Sequence, residues 1–284
     1  MNYLVLAWLR ITALFPMEIL NILALKIQLS LHLFGYRKKV INTNLKNAFP
    51  EKSAAERIAI RKAFYAHFAQ LLAEVIKMFS ISKKAIKTRI SLKNEALIHQ
   101  YYQEGKDVIL VLGHYGNWEW GLLATSILSK HEMVGIYKPL SSPFWNKQIK
   151  ILRSKFGATL VSMQNSGRYL LKKGTKPRLI GIIADQTPAK GELDYWTNFL
   201  NQDTPVFTGT EKLAKKLNAP VVFVHIDRTT NGNYQMSFEL ITDNPKAHPE
   251  GEITNLHTQL LEDKIKSNPA QWLWSHRRWK HSRK

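Results

Sequence analysis

Asp107 to Gly121, DVILVLGHYGNWEWG, is the stretch that decides the fold. Val108 to Leu112 is short, apolar throughout and rich in β-branched residues, the pattern of a strand buried in a parallel sheet. Gly113 and Gly116 break the run, because glycine tolerates backbone angles that other residues resist. Asn117 is a good helix N-cap, and Trp118 to Leu128 reads as the helix it starts. His114 then falls at the carboxyl end of a strand, and Glu119 in the first turn of the next helix. Open α/β sheets take their ligands at that edge. A histidine oriented by a carboxylate is a competent general base for a hydroxyl. The alternative is a histidine with a structural role beside a glycine turn.

Downstream, strands and helices alternate. Met133–Tyr137, Thr159–Val161 and Leu179–Ala184 read as strands, and Phe144–Phe156 and Arg168–Lys173 as helices. Glu211–Leu217 is a helix, Pro220–Ile226 a strand, and Asn231-Gly232-Asn233 a hairpin turn into an antiparallel Tyr234–Ile241. Ile253–Ile265 is a final amphipathic helix. The alternation predicts an α/β fold with a mainly parallel sheet flanked by helices.

Upstream, Asn2 to Phe34 is strongly apolar, with Glu18 and Lys26 as interruptions and Pro16 as a kink or break. No basic start or small-residue cleavage site marks a secretory signal. It reads as a membrane-associated helical segment, with Arg37-Lys38-Lys39 on the cytoplasmic face; a buried core helix is the alternative. Residues 1–40 are thus expected to form this segment and 41–284 the α/β domain. Asn42 to Pro50 reads as a polar connection. Ser53 and Glu56 form a capping box that opens a helix over Ala54–Phe79.

The 284 residues carry 41 Lys+Arg against 21 Asp+Glu, a formal charge of +20, which points to anionic partners. Cysteine is absent, which excludes disulfides, a thiolate nucleophile and cysteine metal sites. No GxSxG elbow, P-loop, GxGxxG or HExxH occurs, so serine hydrolase, nucleotide and zinc-protease readings find no support. The tail QWLWSHRRWKHSRK interleaves aromatic and basic residues, which suits single-stranded nucleic acid or a bilayer surface.

His114 followed by Glu119 resembles the signature of the glycerolipid acyltransferase superfamily. The fuller HYGNWEWG resembles its bacterial branch, the lipid A biosynthesis (lauroyl/myristoyl) acyltransferases. VINTNLKNAFPEKSAAER and FYAHFAQLLAE before it, and LWSHRRWK near the end, extend the likeness over most of the chain. The resemblance implies fatty acyl transfer from an acyl carrier protein or CoA thioester to a hydroxyl of a phosphorylated glycolipid, with His114 as base and Glu119 orienting it. It implies no cofactor, a membrane partner, and no nucleic acid. Arg153 matches the family's phosphate-binding arginine better than Lys138, and an arginine fork suits bidentate phosphate contact. Asp185, opening a DQTP block, is a candidate for substrate positioning, with a turn cap as the alternative. Lys138 and Asn117 complete the candidate substrate contacts. Thr208-Gly209-Thr210 offers backbone N–H groups to an anion, or an ordinary helix cap. Another lipid acceptor, such as a lysophospholipid, an ornithine-type lipid or a phosphoinositide mannoside, keeps the same chemistry. A basic nucleic-acid-binding protein is the reading from another class.

Overall fold

A computed structural model describes residues 1–172 and 174–283. Lys173, which closes the expected Arg168–Lys173 helix, and Lys284 of the basic tail lie outside the described residues. Two compact units interleave along the chain. One comprises Ser82–Ala184 and Thr208–His257; the other comprises Met1–Ile81, Asp185–Phe207 and Thr258–Lys284.

The first of these units holds a seven-stranded sheet. Its strands are β1 (Ile90–Lys93), β2 (Val108–Leu112), β3 (Glu132–Tyr137), β4 (Thr159–Ser162), β5 (Arg178–Ile183), β8 (Val221–Arg228) and β9 (Tyr234–Thr242), in the order β1-β9-β8-β2-β5-β3-β4. β4, β3, β5, β2 and β8 run parallel, and β9 turns back antiparallel to β8 through Gly232 at φ +72°, as the Asn-Gly-Asn signal predicts. The helices α5 (Lys83–Arg89), α6 (Glu95–Gln103), α7 (Trp118–Leu128), α8 (Pro143–Arg153), α9 (Met163–Leu170) and α10 (Gly209–Leu217) connect and flank the strands. β2 lies at the centre, paired on both edges, and Val108 to Val111 are buried. A strand covered on both faces needs apolar residues at every position, which is why VILVL does not alternate.

The amino end of the sheet is tied by charge. Asp107, just before β2, accepts from the Arg178 backbone N–H at 2.7 Å and from Nε at 2.9 Å, and pairs with Nη2. Arg178 also donates to the carbonyls of Leu170 and Lys172, so the buried guanidinium is nearly saturated, as a buried charge requires.

The other unit is helical around α1 (Asn2–Leu14), α2 (Met17–Leu33), α3 (Lys38–Ala48) and α4 (Ala54–Lys77), with a small antiparallel pair, β6 (Trp196–Phe199) and β7 (Gln202–Pro205). Pro16 separates α1 from α2 and stands at the N-cap of α2. The capping box of Ser53 and Glu56 opens α4 as its spacing predicts. α1 and α2 pack against α4, and Lys77 donates to the Ala13 and Phe15 carbonyls left open where α1 ends. Outward they present Leu4, Trp8, Ile11, Leu14, Ile22, Leu25, Leu29 and Leu33, all at least half exposed. Among the described residues no single helix is long and apolar enough to cross a membrane; α2 and α3, bent by 85°, pass that test only as a pair.

The structure corrects three expectations. Residues 42–50 are mostly helix, the body of α3, because Ile41, Asn44, Leu45 and Ala48 recur at helical spacing and are buried. The helix expected at 168–173 begins earlier, at Met163. The tail's tryptophans and one of its arginines turn inward. Trp272, Trp274 and Arg278 are buried, Asn44 donates to the carbonyls of Trp274 and His276, and Trp272 stacks edgewise on Phe199 and Trp274. Groups packed this way are not available to a nucleic acid or a bilayer; Arg277, Lys280 and Arg283 alone of the tail's described basic residues stay exposed.

Two buried histidines make the sheet unit sensitive to acid. Burial lowers His131 to about 4, and burial lowers His257 to about 4 against the pull of Glu211. The folded state keeps both neutral, whereas the unfolded chain takes up protons near pH 6.5. Stability is therefore full above that pH and falls as pH drops from about 6.5 to about 4, by up to roughly 3 kcal/mol per histidine. Urea midpoints measured between pH 7 and pH 4 are expected to show this fall, and His257→Gln to flatten it. An unchanged pH slope in the variant would remove His257 from the account.

Candidate active site

β2 delivers the chain into the loop 113–117 at its carboxyl end. Gly116 takes φ +64°, and a Cβ there would collide with the Ile226 carbonyl oxygen of β8. Gly121, near the start of α7, is also close to β8, though less tightly: a Cβ would meet the end of the Ile226 side chain, Cδ1, at 2.8 Å. The two glycines of HYGNWEWG thus let the loop and α7 press directly onto β8. Asn117 is fully buried, and its Oδ1 accepts from the Trp120 N–H at 2.9 Å, so it caps α7 as its sequence position predicts.

His114, part-exposed, and Glu119, 8% exposed, are brought into this one loop-and-helix turn. The Glu119 carboxylate lies in the first turn of α7, where the helix dipole favours an anion. Arg153, the last residue of α8, reaches it with a fork: Nε donates to Oε2 at 2.8 Å and Nη2 to Oε1 at 2.5 Å. A helix C-terminus favours a cation, so both dipoles support the pair. Burial opposes the charge on Arg153, but the hydrogen bonds and charge of Glu119 outweigh it, and the guanidinium pKa is raised. Trp118 Nε1 also donates to Glu119 Oε1 at 3.2 Å. The Trp118 ring in turn meets His114 edge to face, centroids 4.9 Å apart. Histidine, tryptophan, carboxylate and guanidinium therefore form one connected cluster. Tyr115, in the same loop, is buried; burial and then Asp227 push its phenol well above the usual value, so it stays neutral.

The other candidates are placed differently. Lys138 is exposed and follows the end of β3. Asp185 belongs to the other unit, where its Oδ2 accepts from the Trp272 indole at 2.8 Å and its charge faces Arg278. Burial lowers Arg278 to about 10, and Asp185 opposes that shift. Thr208-Gly209-Thr210 opens α10, and the buried Glu211 after it accepts from the Gly251 and Thr254 N–H groups and from Lys215. Sequence reasoning missed the pairing of Arg153 with Glu119. The signal was faint: an acid in one helix's first turn, a base in another's last turn, 34 residues apart.

A family model described as bacterial lipid A biosynthesis acyltransferase matches residues 1–281. A protein of Haemophilus influenzae named lipid A biosynthesis acyltransferase is 24% identical over 237 residues, covering 82% of this chain and 72% of its own length.

Gly105 and Gly116 both have positive φ, but only Gly116 has a backbone atom where a Cβ would go; around Gly105 there is open space. Gly105→Ala is expected to cost about 1 kcal/mol from backbone strain alone. Gly116→Ala is expected to cost at least twice that and to depress activity, read by urea titration and assay of the purified variants. Equal melts would show that the contact with Ile226 does not constrain the loop.

Proposed function

Because this chain belongs to the bacterial lipid A biosynthesis acyltransferases, we propose that it transfers a fatty acyl group from an acyl carrier protein thioester to a hydroxyl of a lipid A precursor, with His114 as general base. The observation that carries this reading is the match over residues 1–281 combined with a part-exposed histidine at the carboxyl end of the central strand, coupled through Trp118 to a buried carboxylate. His114 takes the proton of the acceptor hydroxyl. The oxygen attacks the thioester carbonyl, the new C–O bond forms, the C–S bond breaks, and the proton goes to the departing thiolate sulfur. Glu119 stabilises the imidazolium that forms in between. No side chain of the cluster is an activated nucleophile, so transfer is direct, within a ternary complex.

Two surface features support the partners. The apolar face of α1 and α2 suits burial at a bilayer interface, with Arg37, Lys38 and Lys39 beside it to meet anionic headgroups on the cytoplasmic face of the inner membrane. The +20 charge suits an acidic carrier protein and a phosphorylated acceptor, and Lys138 offers that phosphate an exposed cation at the carboxyl end of β3. General-base catalysis supplies roughly 10²- to 10⁴-fold.

His114→Ala, purified in detergent and checked for folding by circular dichroism, is expected to lose acyl transfer by about that factor. The assay supplies a lauroyl thioester of acyl carrier protein and an underacylated lipid A. Wild-type turnover by the folded variant would remove His114 as the base. A wild-type enzyme that uses lauroyl-CoA as well as the carrier thioester would remove the carrier preference.

A further inference from the structure

Resting on the general-base reading of His114, we propose that Arg153 is a positioning residue that acts through Glu119, not a ligand for substrate phosphate. Its Nε and Nη2 are both spent on the two oxygens of one carboxylate, at 2.8 and 2.5 Å. A phosphate recruited by the same fork would have to displace Glu119 from it. That would strand a carboxylate with 10% of its side chain exposed, a costly state for an ion.

The fork also does something that a lysine cannot. Two parallel N–H···O bonds set the plane of the carboxylate as well as its position. The third donor, Trp118 Nε1, fills one more acceptor site on Oε1 at 3.2 Å. A carboxylate has about four such sites, so Glu119 is held on three and keeps capacity for one further partner. The guanidinium gives the buried carboxylate its counter-charge, which a buried carboxyl group needs if it is to serve an imidazole that gains a proton during the reaction. α7 supplies the acid and α8 the base, each at the helix end whose dipole suits it. Arg153 therefore sets the geometry of the carboxylate that Trp118 links to the base, and its effect belongs to the chemical step.

A double-mutant cycle separates this from phosphate binding. Steady-state kcat and acceptor KM are measured with the carrier thioester and underacylated lipid A for wild type, Arg153→Gln, Arg153→Lys, Glu119→Gln, Glu119→Gln/Arg153→Gln and Glu119→Gln/Arg153→Lys, with thermal melts for each. Arg153→Gln is expected to lower kcat about tenfold or more with little change in KM, since it removes an interaction that matters in the transition state. Arg153→Lys keeps the charge, loses the fork, and recovers only part of kcat. In the Glu119→Gln background the arginine change is expected to cost less than about twofold, because there is no longer a carboxylate to hold. If Arg153→Gln instead raises acceptor KM by the same factor in both backgrounds, the arginine binds substrate and the proposal fails. If Arg153→Gln fails to fold, Arg153→Lys carries the cycle, and full additivity of its kcat loss with Glu119→Gln again overturns the proposal. Wild-type rates in both Glu119→Gln and His114→Ala would mean instead that the general-base reading itself is wrong.

Discussion

The close approach of the Gly116 backbone to the Ile226 carbonyl is the constraint on which the site depends. β2 and β8 are hydrogen-bonded neighbours, so the loop leaving β2 has little room over the end of β8. A side chain at residue 116 would lift the loop away, and one at residue 121 would force the Ile226 side chain to shift. With glycine at both places α7 begins against the sheet, Asn117 can cap it inside the core, and Glu119 enters at its first turn. His114 and Trp118 then face one another on the two sides of a single tight turn.

The two ends of the sheet contrast in how they use charge. At the amino end Asp107 and Arg178 pair closely and the guanidinium also takes two carbonyls, an arrangement that closes the strands and leaves little capacity for a ligand. At the carboxyl end Glu119 and Arg153 pair through a similar fork, but beside a part-exposed imidazole. The same chemistry ties strand ends together in one place and lies in the His114 loop in the other. What distinguishes them is the neighbouring titratable group and its access to solvent.

Apolar surface is likewise divided. The sheet buries its branched residues on both faces, whereas α1 and α2 pack one side on α4 and leave leucines and a tryptophan outside. The chain's aromatic-rich tail took the opposite course: Trp272, Trp274 and Arg278 form the interior of the helical unit with Phe199 and Asn44. Composition predicted a surface role for both segments, and contacts separated them. A tryptophan beside an arginine suits a lipid headgroup or a cation–π core equally well, so the pattern alone carries no direction.

Local pattern was enough to establish the α/β class, the parallel central strand, the Asn117 cap, the capping box of α4, the β8–β9 turn and the placing of His114 and Glu119. Each depends on residues within a few positions of one another, and periodicity and capping act at that range. The family likeness also lay in the sequence, in motifs spread from the first helices to the tail. Tertiary structure alone decided that Arg153 meets Glu119, that Asp185 meets Trp272, and that Trp272, Trp274 and Arg278 of the tail are core. It also decided that Asn42–Ala48 is helix, since the burial of Ile41, Asn44 and Leu45 gives that short amphipathic run its reason to fold. These outcomes rest on contacts between residues tens or hundreds of positions apart. Nothing in the local chemistry of an arginine says which of 21 acidic residues it will meet; only the path of the chain brings the two together.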